Sequence, residues 1–396
     1  MEVYLDNSAT TKPAQSVIDK MMKVLAEDYG NPSSLHRLGV KAEQHIKEAA
    51  QIIAGSLKVE PKEIIFTSGG TEANNLALIG TALANRRRAN HLITTRIEHP
   101  SVHQPLVYLE ENGFKISFAP VDYAGRLIKE KLLELIQDNT LMVSLMFVNN
   151  EIGSVQEVAD LTAEIKKKKK DILVHVDAVQ AFGKYRIYPK REGIDLLSFS
   201  GHKIHGPKGA GALYVSDRVR INPTVFGGGH QRGIRSGTEN VPGIAGLGQA
   251  VAELYTDFDA KIARMYELKQ TFLQEVSRLG DVTVNGVSVE CMDNSFDMEQ
   301  LKTTAPHIMN VSFRGVRSEV FLHSLEEKGI YVSSGSACST HHATPSVTLT
   351  AIGLPKELMD ATLRFSMSER TTPEEIEYTL QQIRQLLPVL RRYTRK

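Results

Sequence analysis

From about residue 40 onward, short apolar runs alternate with amphipathic helical stretches, and this rhythm limits the possible folds more than any other feature of the chain. The runs Glu63-Ile64-Ile65-Phe66, Leu141-Met142-Val143-Ser144-Leu145 and Ile172-Leu173-Val174-His175-Val176 are almost continuously apolar rather than alternating. A strand of that kind needs cover on both faces, so the pattern predicts an α/β domain with a mostly parallel sheet between helices. Ligands in such sheets sit at the carboxyl ends of the strands. Polar residues just after an apolar run are therefore the first candidates for chemistry.

With 396 residues the chain exceeds a typical domain of about 150, which predicts two domains. A glycine-rich stretch, Phe226-Gly227-Gly228-Gly229, is followed by a helical pattern that reads as one long connection from Pro242 to roughly Arg278. Shorter strand candidates follow (Val282 to Val284, Ile308 to Phe313, Ile330 to Val332), with a helix from Pro373 to the end, as in a smaller α/β or α+β domain. Hydrophobic residues make up 41%, which excludes a disordered chain.

Lys and Arg number 47 against 46 Asp and Glu, so nothing marks the surface as a platform for nucleic acid or anionic membranes. The start, MEVYLDNSATTKP, lacks a basic patch and apolar core, and no apolar run approaches the ~18 residues of a membrane span. The two cysteines, Cys291 and Cys338, are too few for a disulfide framework and lack metal-ligand spacing, so the expected setting is the reducing cytoplasm, without a metal. The charge runs Arg86-Arg87-Arg88 and Lys166 to Lys170 fall at predicted helix C-termini, where cations complement the dipole. They are read as solvated faces without chemistry.

Three strand ends carry the interest. Phe66-Thr67-Ser68-Gly69-Gly70-Thr71-Glu72 joins an apolar strand to a helical stretch, where free backbone N–H groups and the Thr71 hydroxyl can hold an anion. A plain tight turn explains that segment equally well. Asp177 closes the strand Val174-His175-Val176, and a buried carboxylate there needs a partner. Ser198-Phe199-Ser200-Gly201-His202-Lys203 ends a further strand in a lysine able to form a Schiff base. A phosphate cradle, a strand-end Asp and a strand-end Lys are together what pyridoxal 5′-phosphate (PLP) asks of a protein. By spacing alone His99, in Glu98-His99-Pro100, reads as a loop or capping histidine. Cys338 lies in Ser334-Gly335-Ser336-Ala337-Cys338-Ser339, small and polar residues that predict an accessible loop and a usable nucleophile, whereas Cys291 is expected to be inert.

The whole chain resembles the PLP-dependent cysteine desulfurases of the class-V aminotransferase group, which share the type-I PLP transferase fold. The matching segments are Tyr4 to Thr11, Gly30 to His36, the Thr71 turn, Glu98-His99, Asn149 to Gly153, Asp177 to Gln180, Ser200 to Lys203, Arg235 to Asn240, the Cys338 loop and Leu363 to Ser366. The resemblance implies a large domain over residues 14–261 with a seven-stranded sheet, and a small domain of residues 1–13 and 262–396 that carries the cysteine loop. It implies that Lys203 holds PLP, that Asp177 pairs with the ring nitrogen, that Gln180 bonds the ring oxygen and that His99 stacks on the ring and shuttles protons. Gly70, Thr71, Ser200 and His202 would hold the phosphate, with Thr238 reaching it from the second subunit of a homodimer. Asn7, Asn149 and Arg364 would bind L-cysteine, and Cys338 would take its sulfur as a persulfide, leaving alanine.

The long serine-rich loop resembles the type that delivers sulfur to an acceptor protein, for iron–sulfur clusters, thiolated tRNA or thio-cofactors. Two segments depart from the family. Arg364-Phe365-Ser366-Met367-Ser368-Glu369-Arg370 lacks the glycine of Arg-Phe-Ser-x-Gly-Arg, and His341, His342 and Ala343 are unusual in the cysteine loop. Rival readings are a selenocysteine lyase, another class-V lyase or transaminase, and a catalytically silent scaffold, the last opposed by the intact Lys203, Asp177 and Cys338.

Overall fold

The structure, a computed structural model, describes residues 1–287, 296–334 and 345–394. Its strands in chain order are β1 (Val3–Tyr4), β2 (Ile64–Thr67), β3 (His91–Thr95), β4 (Lys115–Ala119), β5 (Thr140–Met146), β6 (Leu173–Asp177), β7 (Leu196–Ser200), β8 (Gly211–Val215), β9 (Val282–Asn285), β10 (Ile308–Phe313), β11 (Ile330–Tyr331), β12 (Ser333–Ser334) and β13 (Thr362–Ser366).

Seven of these form one sheet in the order β2-β8-β7-β6-β5-β3-β4. From β7 to β4 every pairing is parallel, and only β8, between β2 and β7, runs antiparallel to its neighbours. The expected mostly parallel, doubly covered sheet is what the chain builds. Along β6, Val174 and Val176 enter a core with Ile53, Phe199, Leu247 and Val251. Leu173 enters the core of the other face with Leu76, Leu106 and Leu213. Strand alternation puts Asp177 on that second face, toward the helix that starts at Gly70.

A second, antiparallel sheet has the order β12-β13-β10-β9. Its apolar side packs with helices Phe258–Ser277 and Pro373–Thr394, through Phe272, Phe313, Phe365, Leu380 and Ile383. The N-terminus is threaded into this body, since β1 pairs with β11 and Leu5 is wholly buried. From there residues 6–14 cross to the large sheet.

The helical pattern expected from Pro242 to Arg278 is two helices, Val241–Leu254 and Phe258–Ser277. Asp257, at φ +50°, turns the chain between them. Both halves carry helical periodicity, but Leu247 and Val251 serve the large sheet whereas Phe272 and Leu273 serve the small one. One charge run also departs from expectation. Lys166 is not a solvated cation: its Nζ lies 2.6 Å from the buried Asp195 carboxylate. Among the described residues no helix is long and apolar enough to cross a membrane.

Candidate active site

The turn after β2 needs glycine for two reasons. Gly69 adopts φ +154°, a conformation that residues with a side chain rarely reach, and a Cβ on Gly211 of β8 would lie 2.7 Å from the Gly69 Cα, so β8 has no room for a side chain beneath the turn. The helix that opens with Gly70–Asn75 continues through a π turn, Leu76–Gly80, into Thr81–Asn85. Glu72 in its first turn accepts from the Ser68 N–H and pairs with Arg235. The amides at the helix start and the exposed Thr71 hydroxyl face outward beside Ser200, the last residue of β7.

Asp177 ends β6 wholly inside the protein. Its carboxylate accepts from Asn74 Nδ2 at 2.8 Å and from the Val179 N–H at 2.9 Å. Burial raises its pKa, opposed by these two bonds and by the charges of His99 and Lys203. Asn74, which the sequence reading missed, uses its other amide hydrogen on Ser101 Oγ, and Ser101 bonds His99 Nδ1 at 2.8 Å. The Ser101 N–H also donates to Nδ1, so the ring proton of His99 sits on Nε2. His99 is thus both the N-cap of helix Pro100–Glu111 and a wall of the cleft. Partial removal from water lowers its pKa; Asp177 works against this, and Lys203 and His103 reinforce it.

Lys203 follows β7 and donates to the carbonyls of Ser8 and, at 2.8 Å, Ala9. Gln180 Nε2 reaches the same Ser8 carbonyl at 2.9 Å, while its Oε1 lies 3.2 Å from His307 Nε2. His202, near Thr10 at 3.3 Å, has its pKa pushed down to about 4 by burial and by Lys203 and Lys208.

Beside His99 a cleft of about 520 Å³ is lined by Glu98, His99, Ser334, Pro345, Thr348 and Arg364, among others; Asp177, Gln180 and Lys203 are not part of its lining. Arg364 rises from β13. One of its amino groups donates to the Asn150 carbonyl at 2.9 Å and the other to Asp6 at 3.1 Å, while its Nε is buried without a partner. Asn149 is wholly buried and donates to the Ile97 carbonyl while accepting from the Glu151 and Ile152 N–H groups, so it shapes the cleft wall from behind. Asn7 likewise uses its amide on the Tyr4 and Ser366 carbonyls. Glu98, quoted beside His99 in the sequence but given no role there, accepts from Thr95 and the Met146 N–H, leaves Oε2 unpartnered, and has its pKa pushed up to about 8 by burial.

Thr238 is exposed, and a second hollow of about 720 Å³ beside Thr71, His99 and Phe226 opens toward solvent. Cys338 and its neighbours His341, His342 and Ala343, with Cys291, lie outside the described residues. The residues on either side of the Cys338 segment, Ser334 and Pro345, both line the cleft.

A parallel sheet with a lysine, an aspartate and a glycine turn at its strand ends defines a PLP-enzyme class, and the sequence agrees. The profile of the class-V aminotransferase family matches residues 3–379, and the chain belongs to that PLP-dependent family. Within it the similarity is to cysteine desulfurases. Cysteine desulfurase IscS of Dictyoglomus turgidum is 39% identical over 391 residues, 98% of this chain and 95% of the relative. The Klebsiella pneumoniae IscS is 40% identical over 396 residues, 99% of this chain and 94% of its own. Among solved structures a NifS-like protein superimposes with a TM-score of 0.90 at 36% identity, covering 98% of this chain and all (100%) of that one. SspA in complex with cysteine gives 0.79 at 33% identity, over 93% and 100% of the two chains.

Proposed function

We propose that this chain is a PLP-dependent cysteine desulfurase that converts L-cysteine to L-alanine and passes the sulfur, through a persulfide on Cys338, to an acceptor protein. The observation that carries the reading is the convergence of Asp177, Gln180, Lys203 and His99, which end or follow neighbouring strands and are joined by short hydrogen-bond chains, with His99 and Arg364 lining one cleft. The donors fit PLP. A Cβ on Gly70 would fall 2.7 Å from Val179 Cγ2, so the start of this helix offers bare backbone beside Ser200, as a phosphate site needs. When bound, PLP supplies an electron sink for the bonds around the substrate's Cα.

The residues divide the remaining tasks. Asp177, held by Asn74 and the Val179 N–H, keeps a proton on the ring nitrogen. Gln180 would hydrogen-bond the ring oxygen, and Gly70, Thr71, Ser200 and His202 would hold the phosphate. Lys203 would hold the cofactor and then move the proton at Cα, and His99, its Nδ1 engaged by Ser101, would stack on the ring and shuttle protons through Nε2. Arg364 binds the substrate carboxylate with the N–H groups it has not given to Asp6 and Asn150. Asn149 and Asn7 act by holding the walls in place. The Cys338 thiolate attacks the substrate sulfur: the S–S bond forms, the C–S bond breaks, and the electron pair left on carbon takes a proton to give alanine.

Thr238, exposed in one chain, would complete the phosphate site of a second copy, and the fully open Leu35 and Phe226 (97% and 81% exposed) support a homodimer. The acceptor would dock at the rim formed by Ser333, Ser334 and Pro345, and the two-cysteine composition supports a cytoplasmic setting. The test is alanine and sulfide release from L-cysteine, under reductant, by wild type and Cys338→Ala. Both products from wild type and neither from a PLP-loaded variant are expected; equal activity of the two would overturn the persulfide route.

A further inference from the structure

The turn that departs from the family pattern, residues 366–369, is joined to the cofactor site by three separate routes. Ser366 Oγ accepts from the Ser8 N–H at 2.9 Å, and the Ser8 carbonyl takes bonds from both Gln180 and Lys203. The Met367 N–H donates to the His307 carbonyl at 2.9 Å, and His307 meets Gln180. Glu369 makes the third route. Its side chain is only 18% exposed, with one oxygen 3.3 Å from His205 Nε2 and the other 3.8 Å from Lys184 Nζ. Both partners are nearly closed to water, at 5% exposure.

The absent glycine is accounted for by the same geometry. Ser368 has no positive φ, and its hydroxyl accepts from the Arg370 N–H at 3.3 Å, so a side chain is tolerated and used. What the turn presents inward is a carboxylate. Burial pushes the Glu369 carboxyl up, but Lys184 and His205 outweigh it and hold it well below the usual range. Lys184 lies four residues after Gln180, and His205 two residues after Lys203. His205 is itself at φ +58° and pinned to the N-terminal crossing by its N–H to Thr11 at 2.7 Å and its Nδ1 to the Lys12 carbonyl at 2.8 Å.

We infer that Glu369 is a positioning residue of the active site: clamped between Lys184 and His205, it sets the segments carrying Gln180 and Lys203 against the strand carrying Arg364. The inference rests on the desulfurase reading and extends it to a residue that touches neither cofactor nor substrate. A stability role alone would leave the cofactor's geometry unchanged once the protein is folded.

The test compares wild type, Glu369→Gln and the double variant Lys184→Met/Glu369→Gln, each loaded with PLP. Far-UV circular dichroism and thermal melting follow the fold, and the induced circular dichroism of the bound PLP band reads how the ring is held. Glu369→Gln is expected to change the induced signal per bound PLP by about half or more and to lower kcat about tenfold, with KM for L-cysteine within about twofold. The double variant leaves no buried ammonium unpaired, so it recovers thermal stability while keeping the altered signal. A folded variant with wild-type induced signal and kcat would overturn the inference. Loss of the fold in both variants would overturn it too, assigning Glu369 to stability. Failure of wild type itself to bind PLP would overturn the desulfurase reading and this inference with it, and would be seen before any variant is made.

Discussion

Replacing Arg364 with lysine keeps the positive charge but removes the planar fork, and the structure sets the size of the effect. Arg364 spends one amino group on the Asn150 carbonyl at 2.9 Å and the other on Asp6 at 3.1 Å, and keeps a buried, unpartnered Nε. The remaining N–H groups can give a carboxylate two charge-assisted bonds, each contributing about 1.5–3 kcal/mol. A lysine ammonium is a single point that Asp6 and the Asn150 carbonyl would draw away from the cleft. With the charge retained, roughly half of that sum is lost, about 1.5–3 kcal/mol, or about 10- to 150-fold in kcat/KM for L-cysteine. Alanine release at saturating reductant measures the loss. Spectroscopic titration with cysteamine, which lacks the carboxylate, supplies the control and should be unchanged in Arg364→Lys. A variant within about threefold of wild type on L-cysteine, or one weakened equally toward cysteamine, would refute the assignment of Arg364 to the carboxylate.

Three further outcomes are expected. Glu98 keeps its proton up to about pH 8 in the folded chain but loses it near 4.3 when unfolded, so its contribution is full below the lower value and is lost as pH rises through the higher. Glu98→Gln should therefore gain stability relative to wild type between pH 5 and pH 8, by an amount on the order of 1 kcal/mol per pH unit in urea unfolding; parallel pH profiles would refute the buried neutral acid. Asn74→Ala removes the bonds to Asp177 and Ser101 and should weaken PLP binding about tenfold or more by titration, an unchanged affinity showing that Asp177 needs no such support. In Gly211→Ala the new Cβ meets the Gly69 Cα at 2.7 Å and the Phe199 carbonyl at 2.8 Å, so denaturant unfolding should show a loss of about 1–3 kcal/mol, and wild-type stability would mean that β8 can move.

Much of this was legible because hydrophobic periodicity is local. The apolar runs at Leu141 to Leu145 and Ile308 to Phe313 became β5 and β10, and the pattern from Pro373 became the last helix. The break between Leu254 and Phe258 was not legible, because periodicity records that a helix has an apolar face but not which core the face will meet. Nor was Asn74, an asparagine in a helical stretch whose two partners lie 27 and 103 residues away. Spacing made His99 a cap and the resemblance made it a cleft residue; its ring does one with Nδ1 and leaves Nε2 for the other.

By itself the sequence determined the fold class, the family and the reactive groups, since alternating apolar runs force a covered parallel sheet and lysine, aspartate and a glycine turn at strand ends admit few chemistries. Only the tertiary structure decided how those groups are held. The insertion of β8 beneath the glycine turn, the double use of the Ser8 carbonyl, and the grip of Glu369 on Lys184 and His205 all join residues far apart in the chain. Buried polar groups must find partners within the fold, and which partners they find depends on how the two cores close around the crossing at residues 6–14.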